Sequence, residues 1–302
     1  FNANANVKRN DGITALILAT SEGHEESVRM LLEHGADPNE ADPEGLSPIM
    51  PAAQKGAEGI VSLLLEHGAD ANAVAKTSYT PLIYAVSGKQ AGVAALLLDN
   101  GAEVDLPTDD DLTALIIAAS LSQEKLVDML VERGANVNLT HHRGASALFV
   151  AATNGNLGIL TSLADLNADV QLIDADGHTT LMAAASNGHH RICQALIEKG
   201  VPLDNVSAFG ATALMMAAKI GALETVGVIS AAGADLNVQV VVPDDFLGDH
   251  QIKKGEGPWI NMGHEDPSMH VTYYNGVTAL MLATMRGYLN VASMLVERGA
   301  SM

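Results

Sequence analysis

The chain has 302 residues, 48% of them hydrophobic and 3% aromatic, and 36 Asp and Glu against 16 Lys and Arg leave a formal charge of −20. That balance excludes nucleic acid as an expected partner, since phosphate recognition needs clustered cations; it favours solubility and a protein partner with a basic or mixed apolar/basic surface. One cysteine, Cys193, excludes an internal disulfide and fits an intracellular, cytoplasmic setting (nucleus or organelle left open), and no apolar run is long enough for a membrane span or marked as a signal peptide.

In chain order, one short phrase returns. GITALILA starts at Gly12, GLSPIMPAA at Gly45, SYTPLIYAV at Ser78, DLTALIIAA at Asp111, GASALFVAA at Gly144, GHTTLMAAA at Gly177, GATALMMAA at Gly210 and GVTALMLA at Gly276. Six steps between these starts are 33 residues and the seventh, 210 to 276, is 66. A fixed period of this size signals a helical solenoid, one quasi-linear stack over 1–302 rather than two globular domains.

Within each unit the same chemistry recurs. A hydroxyl stands two residues after the start (Thr14, Ser47, Thr80, Thr113, Ser146, Thr179, Thr212, Thr278), where it can cap a helix, and Pro48 and Pro81 suit a first turn. An apolar, Ala-rich first helix follows and breaks near Gly23, Gly56, Gly155, Gly188, Gly221 or Gly287, with Lys89 and Ser122 in that place in two units. The second helix carries apolar residues at helical spacing, such as Val61, Leu64 and Leu65, and ends before Gly-Ala, where Asn167 once replaces Gly. His34, His67, Arg133, Lys199 and Arg298 precede that Gly and are expected to meet the negative helix end. About six polar residues then form a β-turn or short hairpin.

This unit resembles the ankyrin repeat, in the Gly-x-Thr-x-Leu start, the Gly-His pairs at Gly23 and Gly188, and Gly-Ala-Asp at Gly35, Gly68 and Gly233. The resemblance covers eight copies and the chain outside about 243–270, and it implies an all-α solenoid of helix-turn-helix plus β-turn units. One departure is systematic: where the family keeps His after the Leu, this chain has Ile17, Met50, Ile83, Ile116, Phe149, Met182, Met215 and Met281. An apolar seam is expected there, with the hydroxyls left to cap helices. Asn39, Asn72, Asn138 and Asn237 stand where some family members are hydroxylated on Asn.

The resemblance implies a non-catalytic protein-interaction scaffold or adaptor, binding with its concave face and turn tips. Carried over by position, the binding residues are Glu44, Leu46, Lys55, Thr77, Tyr79, Asp109, Asp110, Leu112, His142, Arg143, Asn154, Asp176, His178, Asn187, Phe209, Lys219 and Tyr274. Tyr79, Phe209 and Tyr274 are the aromatic anchors. Both termini cut through a repeat, so the chain reads as a piece of a longer protein. It is alternatively the recognition arm of a larger enzyme or channel, or a permanent subunit of a large assembly.

The doubled step reads as an insertion of about 243–270, because its Gly and Pro residues oppose helices and the repeat motif is missing in phase. VQVVV at 238–242 and HVTYY at 270–274 are β-rich and suggest an extended hairpin or loop, with Phe246 and Trp259 as further contact residues. His250, His264, Glu265, Asp266 and His270 match no firm metal spacing, GEG at 255–257 lacks the setting of a phosphate loop, and Cys193 has no base beside it; no cofactor, metal or catalytic group is expected.

Overall fold

A computed structural model describes residues 4–240 and 276–302. Its helices come in consecutive pairs, and the pairs group into two compact units, residues 1–142 and 143–302. The first unit holds α1 (Ala15–Glu22) with α2 (Glu25–Glu33), α3 (Ile49–Lys55) with α4 (Glu58–Glu66), α5 (Pro81–Ser87) with α6 (Ala91–Asp99), and α7 (Ala114–Ser120) with α8 (Glu124–Glu132). The second holds α9 (Ala147–Asn154) with α10 (Leu157–Asp165), α11 (Thr180–Ser186) with α12 (His190–Glu198), α13 (Ala213–Ile220) with α14 (Leu223–Ala231), and α15 (Ala279–Met285) with α16 (Leu289–Glu297). Within each unit every first helix packs on the next first helix, and every second helix on the next second helix. This is an all-α repeat fold of solenoid type. The connecting turns contribute two isolated bridges, Lys8 with Thr14 and Ile173 with Thr179, and no strands among the described residues.

The period explains the packing. A helix of seven to nine residues cannot bury its apolar stripe alone, so each pair relies on its neighbours. Ala52, Ala53, Ala118, Ala119, Ala151 and Ala152 are fully buried on the first helices, where a methyl group lets the next helix approach closely. Leu64, Leu97 and Leu130 sit 33 residues apart on α4, α6 and α8, all buried. At the position where the resemblance expects His, Ile17, Met50, Ile83, Ile116, Met182 and Met215 are buried as an apolar seam. Phe149 is only half-buried, and Met281 is 45% exposed because no described helix pair packs beyond α15.

Seven of the eight hydroxyls cap their helices. Thr80 Oγ1 accepts from Ile83 N–H at 3.2 Å, and Thr14, Thr113, Ser146, Thr179, Thr212 and Thr278 do the same in their repeats. Ser47 departs from that expectation. Pro48, at φ −53°, occupies the cap position itself and α3 begins one residue later at Ile49, so Ser47 lies outside the cap position and its buried Oγ has no partner.

The residues preceding Gly-Ala divide by length. His34 and His67 ring nitrogens lie 2.7 and 2.9 Å from Met30 and Leu63 carbonyls, so they meet their own helix ends as expected. Arg133, Lys199 and Arg298 instead reach back one repeat: to Asp99 at 2.6 Å, to Asp165 at 2.7 Å, and to the Gly227 carbonyl and Ser230 Oγ at 2.7 and 2.6 Å. A longer side chain overshoots its own carbonyls and finds a partner on the preceding second helix.

A second tie between repeats runs through the turns. Asn72 Nδ2 donates to the Gly101 carbonyl at 2.9 Å, and its Oδ1 accepts from Glu103 N–H at 2.8 Å. Asn6 and Asn39 make the same pair of bonds to the repeats that follow them. Asn237 Oδ1 accepts from Ser301 N–H at 2.7 Å, so the repeat begun at Gly210 is tied directly to the one begun at Gly276. Val240 N–H donates to Val277 O at 3.0 Å and Gly276 N–H to Val240 O at 2.9 Å, as Ala75 and Ser78 do with Tyr79 and Ala75 elsewhere. The expected insertion, with Phe246 and Trp259 inside it and Tyr274 just after, lies outside the described residues, as does the HVTYY segment of the expected hairpin.

Candidate functional site

In the first unit the turn between α2 and α3 is folded by Asp42, whose carboxylate accepts from the N–H groups of Glu44 and Leu46, each at 2.9 Å. A side chain that closes its own turn leaves the tip residues pointing outward. Glu44 is exposed, and its carbonyl takes Lys76 N–H at 2.9 Å while its carboxylate pairs with Lys76 Nζ at 3.3 Å. Thr77 is exposed beside it. Tyr79 is half-buried, edge-on to Tyr84 with ring centroids 5.6 Å apart. Burial, then Tyr79 and Asp42, hold the Tyr84 phenol above its ordinary pKa.

Asp109 accepts from Ser78 Oγ, and the Asp110 carbonyl accepts from His142 N–H at 3.1 Å, with the His142 ring against the same oxygen. Leu46 and Leu112 are half-buried under these tips. Lys55, at the end of α3, donates to the Ser21 carbonyl. The tips of this unit therefore form a continuous, mainly acidic edge.

The second unit repeats the device with a deeper result. Asp174 lies 132 residues, four periods, beyond Asp42. Its Oδ1 accepts from Asp176 N–H at 2.9 Å and His178 N–H at 2.8 Å, and its Oδ2 lies 3.0 Å from His178 Nδ1. Arg143 pairs with Asp176 at 3.2 Å, and Phe209 lies over His178 with centroids 6.2 Å apart. Ala175 N–H donates to the Arg143 carbonyl and Ala208 N–H to the Asp176 carbonyl, linking three successive tips.

Asp174, Asp176 and His178 bring possible ligand atoms within 4.8 Å of one another. The bonds just described already engage all three, so the cluster acts as a clasp for the turn.

Beside this clasp an open pocket of about 340 Å³ runs along α9, α11 and α13. Phe149, Met182, Met216 and Ile220 supply its apolar lining, and Asp174, His178, Asn187 and Lys219 its polar groups. The volume falls within the range of pockets that hold a side chain or small ligand. Asn187 is exposed and donates to the Ala183 carbonyl at 2.9 Å. Lys219 is half-buried at the end of α13; burial, and secondarily the neighbouring Arg286, push its ammonium down to about 8. Asn154 is exposed at the end of α9, outside the pocket lining.

His178, Asn187 and Lys219 thus meet in one pocket, with Asp176 and Phe209 at its edge. Tyr79, Asp109 and their neighbours form the edge of the other unit. Sequence reading missed the pocket walls and Asp174. The signal for Asp174 was present in its register with Asp42. Met182 had been placed in the buried seam, and Met216 is the next residue after a seam position. Cys193 is fully buried on α12, and burial pushes its thiol up to about 12, which removes it as a nucleophile at neutral pH.

Among the described residues no helix is long and apolar enough to cross a membrane. No curated protein matches the chain. The profile of ankyrin repeats in three copies matches residues 1–75, 68–141 and 148–240, and the single ankyrin repeat profile matches 275–302. These matches span most of the sequence, carry the helix pairs and turns described above, and establish that the chain belongs to the ankyrin-repeat family.

Proposed function

We propose that this chain is a non-catalytic scaffold or adaptor that binds a protein partner through its turn tips and first-helix faces. Ankyrin repeats are in general protein–protein interaction modules, and the finer reading rests on one observation. The second unit opens a largely apolar pocket rimmed by charged tip residues, which is how interaction surfaces combine an anchor site with a polar rim. The acidic tips Glu44, Asp109 and Asp110 favour a partner with basic residues around an apolar centre. The single buried thiol suits a reducing compartment such as the cytoplasm.

Capture of partners with the intact chain, beside a variant carrying Tyr79→Ala, Phe209→Ala and, at the exposed pocket residue Ile220, Ile220→Lys, tests this. Loss of the captured partners from the variant, with its thermal melt retained, is the expected result; equal capture by a folded variant refutes it. Raising salt from 0.1 to 0.5 M should slow association and leave the complex lifetime nearly unchanged, because exposed rim charges act mainly on encounter. A parallel capture with a chain lacking 243–270 tests the contribution proposed for Phe246 and Trp259. Unchanged partners at unchanged strength would remove those residues from the interface.

A further inference from the structure

The clasp of the second unit leaves one polar atom over. His178 lines the pocket, and its Nδ1 lies 3.0 Å from Asp174 Oδ2. A carboxylate only accepts, so the proton between them sits on Nδ1, and the neutral imidazole keeps Nε2 as an acceptor. Among the described residues Nε2 has no hydrogen-bond partner. The side chain is only 16% exposed, and the Phe209 ring lies over it with centroids 6.2 Å apart. An acceptor largely shielded from water and without a partner gains a bond when a donor is brought to it.

The surroundings decide what must carry that donor. Met182 lies four residues on from His178, in the first turn of α11. Phe149 on α9 and Met216 and Ile220 on α13 complete the apolar lining. A small polar donor would leave this lining wet, and a plain hydrocarbon would leave Nε2 unpaired. A flat apolar body with a donor at one end answers both, and methionine sulfur makes favourable contacts with ring edges. In tyrosine the hydroxyl stands at the end of the ring farthest from the backbone; indole carries its N–H on the flank of a wider body.

We propose that this pocket docks a tyrosine side chain of the partner protein, its ring among Phe149, Met182, Met216 and Ile220 and its hydroxyl donating to His178 Nε2. This rests on the protein-binding reading above and names the anchor that the pocket takes. Asp174 acts through His178: by holding the proton on Nδ1 it makes the pocket select a donor.

The probes are N-acetyl-tyrosine methylamide and its phenylalanine, O-methyltyrosine and tryptophan counterparts. Each is titrated into the full chain, isotope-labelled at its methionine methyl groups, and the Met182 and Met216 signals are read by NMR after assignment with Met→Leu variants. The tyrosine probe should shift both signals. The phenylalanine and O-methyltyrosine probes should bind about tenfold more weakly, the loss of one hydrogen bond to a shielded acceptor. His178→Phe should bring the tyrosine probe to the level of the phenylalanine probe and leave the latter unchanged. Asp174→Asn keeps an oxygen for the Asp176 and His178 N–H groups but turns a donor toward Nδ1, which moves the ring proton to Nε2. The preference for tyrosine over O-methyltyrosine should then vanish with the thermal melt retained. Imidazole nitrogen shifts of the wild type at pH 8 should report the Nδ1–H tautomer.

Equal binding of the tyrosine and phenylalanine probes, tighter binding of the tryptophan probe, an Nε2–H tautomer in the wild type, or no methionine shift with any probe overturns the proposal. Binding of free p-cresol without binding of the tyrosine probe overturns it too, because the site is then one for a small phenol. If the variant at Tyr79, Phe209 and Ile220 loses its captured partners while the tyrosine probe fails, the broader protein-binding reading stands and the tyrosine anchor falls.

Discussion

Asn72 offers the sharpest test of how neighbouring repeats are tied. Its amide donates to the Gly101 carbonyl at 2.9 Å and accepts from Glu103 N–H at 2.8 Å, so one side chain satisfies two backbone groups of the next repeat. An intramolecular hydrogen bond contributes about 0.5–1.5 kcal/mol net, and these are exposed, so Asn72→Ala should lower unfolding free energy by about 1–2 kcal/mol. Asn72→Asp keeps the acceptor but turns an anionic oxygen toward the Gly101 carbonyl, and should cost at least as much as losing one bond.

The chain contains the reverse experiment. At the equivalent position Asp105 accepts from Asn136 N–H through both oxygens at 3.1 Å, and a carboxylate has no donor for the Gly134 carbonyl. Asp105→Asn should therefore add one bond and raise stability by about 0.5–1.5 kcal/mol. Urea unfolding at pH 7 with unchanged m-values is the assay. An Asp105→Asn variant no more stable than wild type, together with an Asn72→Asp variant no less stable, would refute the two-bond account of this position.

Further outcomes follow from other positions. Lys89 and Ser122 hold φ of 61° and 58° in the left-handed region where Gly23 and Gly56 sit elsewhere. A side chain there costs about 1–2 kcal/mol, partly offset by the entropy that glycine adds to the unfolded chain, so Lys89→Gly and Ser122→Gly should each stabilise by about 0.5–1 kcal/mol in chemical unfolding. Gly23→Ala, whose added methyl meets nothing within 4 Å, should lose a similar amount from backbone strain alone. Thr80→Ala removes a working cap and should cost about 1 kcal/mol, whereas Ser47→Ala removes a buried hydroxyl without a partner and should be neutral or stabilising; equal losses in calorimetry would contradict the contrast.

The folded chain releases the Lys219 proton near 8 while the unfolded chain keeps it to the ordinary lysine range. The unfolded state then binds more protons, so stability rises with pH across that interval, and Lys219→Met should remove the rise. The Cys193 thiol, pushed up to about 12, acts in the opposite sense above the ordinary thiol pKa, so the measurement belongs in a Cys193→Ala background. In the wild type, an aromatic disulfide reagent at pH 8 should label Cys193 only as fast as the second unit opens.

Local chemistry was legible because it repeats. Thr80 before Pro81 already states a capped helix start, and Gly23 states a helix end; eight copies in phase leave little room for another fold. Lys89 and Ser122 could be placed at the same helix end from register alone, and the structure adds that they occupy a glycine conformation. Ser47 departs for a local reason too: both Thr80 and Ser47 precede proline, and only the backbone shows that Pro81 is the first residue of its helix whereas Pro48 takes the cap position itself.

Contacts between repeats were less legible, because sequence period fixes which residues are equivalent and leaves open what lies opposite them. Arg133 and His67 are equivalent by register, yet one bonds the preceding repeat and the other its own helix end, a difference of side-chain reach. The same limit applies to the pocket. Phe149, Met182 and Met216 stand at apolar positions on three helices, α9, α11 and α13, and only their stacking leaves a space between them.

The junction at Val240 is where register and contact agree most closely. In an ordinary repeat two residues, Lys76 and Thr77, lie between Ala75 and the Ser78 that bonds back to it; here Val240 and Gly276 make the same bonds across residues 241–275. Asn237 then reaches Ser301 as Asn72 reaches Glu103, and α13 packs on α15 as α3 packs on α5. The stack therefore keeps its contacts across the extra period, and the ties that do so are the turn bonds and the Asn side chain. That places the determinants of stacking in the repeat itself.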